Sequence, residues 1–203
     1  MEPKKIIIHH LPKTGVGGIE TWLLNLIKYT ISRKTSDIEL LLILRSRGKM
    51  HEDFIQTGCN VVMLGRYRYI AFAMRRAIKL FKTIKSGSCV LHLHDHSLYA
   101  LMLCLVTKCM IRSKIILHIH NSVNNNQNRL KLMFEKVQYS LIRLFAEKIL
   151  FCSSQVRHGW DPCLSGSKSG ILRYGLPDEN FSGQWYTYKK RITNSSKFFL
   201  RIT

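Results

Sequence analysis

Three stretches of this sequence carry residue types that could do chemistry, and each follows a short apolar run. The first is Gly15-Val16-Gly17-Gly18-Ile19-Glu20. Glycines there let a backbone approach a ligand closely. A helix opening at Ile19 would offer unpaired N–H groups and a partial positive charge suited to phosphate. A tight turn with helix-packing glycines would use the same residues. Glu20 holds the last glycine position of a Gly-x-Gly-x-x-Gly fingerprint, and no Gly-Lys-Ser/Thr follows, so neither a dinucleotide motif nor a P-loop is present. The second stretch is His92-Leu93-His94-Asp95-His96, and the third is His118-Ile119-His120-Asn121. Strand residues two apart share a face, so each stretch presents two imidazoles together. Neutral imidazoles suit sugar hydroxyls and phosphate oxygens. They are also ordinary metal ligands, but no further spaced ligand completes a set, and we expect no metal. Polar strand ends bonded to neighbouring loops are the plainer alternative.

These residues need elements that bring them to one edge. Apolar runs at Lys5–Leu11, Ile38–Leu44, Val61–Leu64, Val90–His94, Lys114–His118 and Lys148–Cys152 read as strands, with a seventh at Ile171–Arg173. The run at Ile38–Leu44 is apolar throughout, so we expect it buried on both faces. Between the strands lie helical patterns at Ile19–Ile31, Tyr69–Lys85, Ser97–Lys108 and Arg129–Glu147. In the first, Trp22, Leu23, Leu26 and Ile27 share a face. The alternation predicts an α/β, doubly wound parallel sheet with helices on both sides. Ligands bind such sheets beyond the carboxyl ends of the strands, where all three stretches fall. A surface loop is expected at Leu164–Gly170. From Pro177 the pattern weakens into a polar linker, and Lys197–Ile202 reads as one further strand. We therefore divide the chain into a Rossmann-like unit over 1–176 and a linker with a strand over 177–203.

The chain has 203 residues, 46% of them hydrophobic, enough for one sizeable core and unlike a disordered composition. Lysine and arginine number 32 against 12 acidic residues, a net charge of +20 that calls for an anionic partner. No Cys-x-x-Cys occurs among six cysteines, which argues against a zinc ribbon. Most sit in apolar runs and read as small buried residues in a reducing cytosol. The apolar start is too short for a signal peptide. The longest apolar run, Leu98–Val106, falls short of the roughly 20 residues a membrane span needs.

Taken in order, Gly-Gly-Ile-Glu after strand one, His-x-His-Asp after strand four and His-Ile-His-Asn ending strand five resemble the N-terminal domain of family 4 glycosyltransferases. Cys152-Ser153-Ser154 looks like that family's Val-Ser segment. Leu172-Arg173-Tyr174-Gly175-Leu176-Pro177-Asp178-Glu179-Asn180-Phe181 looks like its Asn-Gly-Ile-Asp…Phe signature, with Tyr174 where Asn is usual. The likeness is nearest to transferases of bacterial capsule and exopolysaccharide assembly. It implies the GT-B architecture, in which two Rossmann-like domains face a cleft and this one holds the acceptor. It implies that Gly17 and Gly18 approach the donor diphosphate and that His120 stands at the reacting centre. Glu20, His94, Asp95 and Asn121 would then line the acceptor side. The implied chemistry is retention at the anomeric carbon without a metal or cofactor, the nucleotide sugar being substrate. The family's basic pair and Glu-x₇-Glu motif, which hold the donor, do not occur in the sequence. We expect the 203-residue chain alone to be inactive.

A basic surface accompanies the site. Within the helix Tyr69–Lys85, Ile70, Met74, Ala77, Phe81 and Ile84 form an apolar stripe. Arg75, Arg76, Lys79 and Lys82 lie opposite with Phe72 among them, and Arg66, Arg68 and Lys85 add to the charge. An anionic membrane interface suits that face, as does plain solvent. We expect a peripheral protein at the inner face of the membrane, acting on a lipid-linked or oligosaccharide acceptor and not on nucleic acid. Two other functions fit parts of the sequence. Arg45-Ser46-Arg47 after strand two could hold a 2′-phosphate in an NADP-dependent oxidoreductase. A non-catalytic fragment binding membrane or nucleic acid is the other.

Overall fold

A computed structural model describes residues 5–33, 37–65, 70–84, 89–123, 128–161 and 168–172. Among the described residues, seven strands alternate with six helices: β1 (Lys5–Lys13), α1 (Gly18–Ser32), β2 (Ile38–Ser46), α2 (His51–Gln56), β3 (Asn60–Met63), α3 (Ile70–Thr83), β4 (Cys89–Leu93), α4 (Leu98–Ile111), β5 (Lys114–Ile119), α5 (Arg129–Phe145), β6 (Lys148–Phe151), α6 (Ser154–Trp160) and β7 (Ser169–Ile171). The strands form one parallel sheet in the order β3-β2-β1-β4-β5-β6-β7. The order reverses direction between β1 and β4, which makes a switch point at the carboxyl edge. The expected doubly wound α/β sheet is observed.

Alternation along the strands splits the core. Ile8, Leu41, Leu91, Leu93, Leu117 and Phe151 pack on one face with α3, α4, α5 and α6. Leu11, Leu42 and Leu44 pack on the other with Leu23, Leu24 and Ile27 of α1 and Phe54 of α2. β2 feeds both clusters, as its unbroken apolar run predicts. Ser97 caps α4, Asn128 caps α5 and Ser153 caps α6, each accepting from a backbone N–H two or three residues on. No helix among the described residues is long and apolar enough to cross a membrane.

The structure corrects several expectations. The short α2 and α6 were not anticipated, because six or seven residues give no full apolar period. In α3 the buried stripe centres on Ala73, Ala77 and Phe81, and Met74 is exposed. Cys59, Cys89 and Cys104 are buried, but Cys109 is exposed on α4. Burial pushes the Cys104 thiol up to about 12. Arg66, Arg68, Lys85, Cys163, the signature at 173–181, the linker and the strand expected at 197–202 lie outside the described residues, as does most of the loop at 164–170.

Candidate active site

β1 leaves the sheet at Lys13, and the chain turns through Thr14–Val16 into α1, with Gly17 as its N-cap residue and Gly18 opening it. Gly17 has extended backbone, so no special conformation demands glycine there. Space does: a Cβ on Gly17 would lie 2.7 Å from Glu20 Oε2, and one on Gly15 3.1 Å from Glu20 Oε1. The Glu20 carboxylate thus folds back over the glycine loop, where the helix dipole favours it. A Cβ on Gly18 meets nothing within 4 Å. The loop is clamped from below by a pair that sequence reasoning missed. Gly48 N donates to Thr14 Oγ1 at 3.0 Å, and Met50 N donates to Thr14 O at 3.1 Å. A Cβ on Gly48 would sit 2.1 Å from Thr14 O, so only glycine permits this approach.

Beside the loop, five imidazoles cover one sheet face. His9 pairs in register with His92, and the pair Leu93↔Leu117 brings His94 beside His118 one residue further on. Because Ile8, Leu91, Leu93, Leu117 and Ile119 face the α3–α5 layer, His9, His92, His94, His118 and His120 face the α1 side. Trp22 of α1 closes over them, its ring 5.9 Å from that of His94 and 6.0 Å from that of His118. His9 Nδ1 is 3.1 Å from His94 Nε2, and His94 Nδ1 is 3.1 Å from His120 Nε2. Both nitrogens of His94 are engaged, and a neutral imidazole donates through one and accepts through the other. The three tautomers are therefore coupled, and the chain of bonds runs in one sense from His9 to His120 or in the other.

Burial holds the array neutral. It lowers His9 to about 4 and His120 to about 3, the latter against an opposing pull from Asp95. His92, His94 and His118 are pushed well below their ordinary value by burial and then by one another. His120 is half-buried and stands at the carboxyl edge. Asp95 lies 2.9 Å from His10 Nδ1. Burial pushes the Asp95 carboxyl up. His10, a hydrogen bond from Ser97 and His96 outweigh it, and the net shift is downward. Asn121 is exposed, and its carbonyl accepts from Trp160 Nε1 at 2.7 Å, which fixes the chain just after His120. Trp160 in turn packs on His96 and Tyr139, and Asp161 accepts from Tyr139 at 3.2 Å and pairs with Arg143 at 2.7 Å.

The structure thus unites His94 and His120, sets Asp95 within electrostatic reach of His120, and places Glu20 on the glycine loop. His9, His10, Thr14 and Gly48 were not singled out from sequence, and Trp22 was read only as part of the apolar face of the first helix, although two histidines inside the apolar run Ile6–Leu11 were a visible signal. The fold also completes ligand sets that spacing along the chain could not. One nitrogen from each of His9, His92 and His94, or of His94, His118 and His120, lies within 4.8 Å of the others. Neither triad includes a carboxylate, and a cation at either would have to displace one of the two hydrogen bonds on His94.

Sheet order and helix placement define a Rossmann-like α/β domain, with its switch point at the carboxyl edge. No family model and no curated protein sequence matches the chain. Among solved structures, it is similar to Anabaena HepE in complex with UDP, with a TM-score of 0.63 and 12% identity over 85% of this chain and 44% of that one. It is similar to the lipopolysaccharide outer core galactosyltransferase WaaB, with a TM-score of 0.58 and 14% identity over 85% and 46%. A UDP-N-acetylglucosamine 2-epimerase shares the fold at a TM-score of 0.53 and 11% identity over 89% and 55%. The chain spans about half the length of each.

Proposed function

We propose that this chain is the acceptor-side domain of a GT-B glycosyltransferase that moves a sugar from a nucleotide sugar to a lipid-linked saccharide in cell-surface polysaccharide synthesis. One observation carries the reading. A glycine-led helix N-terminus and a bank of neutral imidazoles meet at the carboxyl edge of one sheet, on a fold shared with proteins that bind UDP. Neutral rings at this edge donate to and accept from hydroxyls without bringing a charge that must be desolvated. His120, the half-buried end of the hydrogen-bonded chain, takes the place beside the anomeric carbon. His94 and His9 set its tautomer. Asp95, Asn121 and Glu20 serve the acceptor side, and Gly17 and Gly18 face the donor diphosphate. The reaction proceeds with retention and without a metal.

Glu20 weighs against the oxidoreductase reading. Its carboxylate occupies the helix terminus that a pyrophosphate held by this domain alone would need. A donor held mainly from a second domain requires only that Glu20 swing aside. The basic face of α3, with Phe72, Arg75, Arg76, Lys79 and Lys82 all exposed, is the proposed contact with an anionic membrane. Arg76 lies 4.5 Å over the Phe72 ring, which keeps the aromatic and the charge together at the surface.

Ligand-observed NMR on the chain with a short oligosaccharide, UDP-glucose and NADPH tests the reading. Saccharide signals should show binding that His120→Ala removes while the fold is retained. Binding of NADPH in place of the sugars would overturn it.

A further inference from the structure

The second amphipathic surface lies on α5, away from the histidines. Leu130, Met133, Phe134, Val137, Leu141 and Leu144 follow the helical period i, i+3, i+4, i+7, i+11, i+14 and form one stripe about 100° wide. A helix normally turns such a stripe to the core. Here Tyr139 and Ile142, on the opposite side, do the packing. The stripe faces outward instead, with Leu144 74%, Leu130 63% and Phe134 61% exposed. Scattered exposed leucines need no explanation, but a continuous row of large side chains marks a surface that something covers.

The flanks indicate the occupant. Arg129 and Lys136 border the stripe on one side and Lys131 on the other, while Glu135, 3.9 Å from Lys131, is the one acidic residue of the helix. An apolar stripe between basic borders fits a helix lying in a lipid interface, leucine and phenylalanine among the acyl chains and cations at the headgroups. A second copy of this chain fits poorly. Self-association along the stripe would bring the basic borders together in a molecule of charge +20. The residues after Leu172 are basic as well, six lysines and arginines against Asp178 and Glu179. α5 packs beside α4, and α4 beside α3, so the stripe and the basic residues of α3 lie on one helical layer.

We infer that the outer face of α5 is the element that inserts into an anionic bilayer, with the cations of α3 drawing the same layer to the surface. The inference rests on the proposed function only for its lipid-bound acceptor. The sequence signal for α3 was charge, whereas α5 supplies the apolar area that charge alone lacks.

The test is co-flotation of the 203-residue chain with vesicles of phosphatidylcholine containing about 30 mol% phosphatidylglycerol. The double variant Phe134→Ser/Leu144→Ser changes two exposed side chains, and circular dichroism checks that it folds. The expected result is at least about tenfold weaker partitioning for the variant, and comparably weak binding of the unaltered chain to pure phosphatidylcholine. Equal binding by both proteins, no binding by the unaltered chain, or a dimer in sedimentation that the double variant dissociates would each overturn the inference. No sugar is present in this assay, so its failure leaves the saccharide-binding result above to stand or fall separately.

Discussion

Mild acid should destabilise this protein, because its site is built from histidines that the fold forbids to charge. A histidine held neutral in the folded state binds fewer protons than the same residue in the unfolded chain. Its stabilising contribution is fully present above the unfolded value of 6.5 and is lost as pH falls from there toward the folded value. His9, lowered to about 4, loses about 2 kcal/mol of stabilisation between pH 7 and pH 5. His120, lowered to about 3, loses about 2 kcal/mol over the same range. His92, His94 and His118 shift in the same direction and add to the loss. The two numbered rings alone amount to about 4 kcal/mol, against a total of roughly 5–15 kcal/mol for a domain. The melting temperature should fall by about 8–16 °C between pH 7 and pH 5. Asp95 is also held down, so it too loses stabilisation as pH falls, but its window lies below about pH 4 and does not overlap. Thermal denaturation at half-unit steps from pH 7.5 to 4.5 measures the effect. A melting temperature flat down to pH 5, then falling only in the carboxylate range, would refute the idea of a neutral buried array.

Other substitutions address the loop, the surface and the chemistry. Gly48→Ala pushes a methyl onto Thr14 O and should cost about 1–3 kcal/mol in urea unfolding, whereas Gly18→Ala should leave stability unchanged or slightly raised. Gly18→Val, placed in a protein that pairs this domain with a donor-binding one, should lower transfer by orders of magnitude at nearly constant melting temperature. Unchanged turnover would mean the glycine serves only the turn. Reversing Arg75, Arg76 and Lys79 to glutamate removes about 1 kcal/mol of attraction per residue at an anionic surface before any repulsion is counted. Vesicle binding should then become undetectable at physiological salt, and salt-insensitive binding would disprove an electrostatic role. The 203-residue chain alone should not turn over UDP-sugars, since positioning of the reacting groups can supply roughly 7–11 kcal/mol of a barrier and one cleft wall cannot provide it. A coupled UDP-release assay with oligosaccharide acceptors checks this.

Sequence by itself determined the elements and their kind. The unbroken run Ile38–Leu44 could only be a strand buried on both faces, and both of its faces are in the core. The pairs His92/His94 and His118/His120 were legible as shared faces because a strand repeats every two residues. Their gathering was not legible. Whether His9 stands beside His92, 83 positions away in the chain, depends on the register between β1 and β4, and register is set by the packing of whole faces. The Thr14–Gly48 clamp is likewise a contact between two loops, each unremarked when read alone. α5 shows the limit most plainly. Its period announces an amphipathic helix, but apolar residues lie on more than one side, and only the packing of α5, with Tyr139 and Ile142 buried, against α4 and β5 decided which side faces in. Local periodicity is a property of consecutive residues and survives in any context. Facing and neighbourhood are properties of the packed sheet, where each strand and helix is oriented by partners far away in sequence.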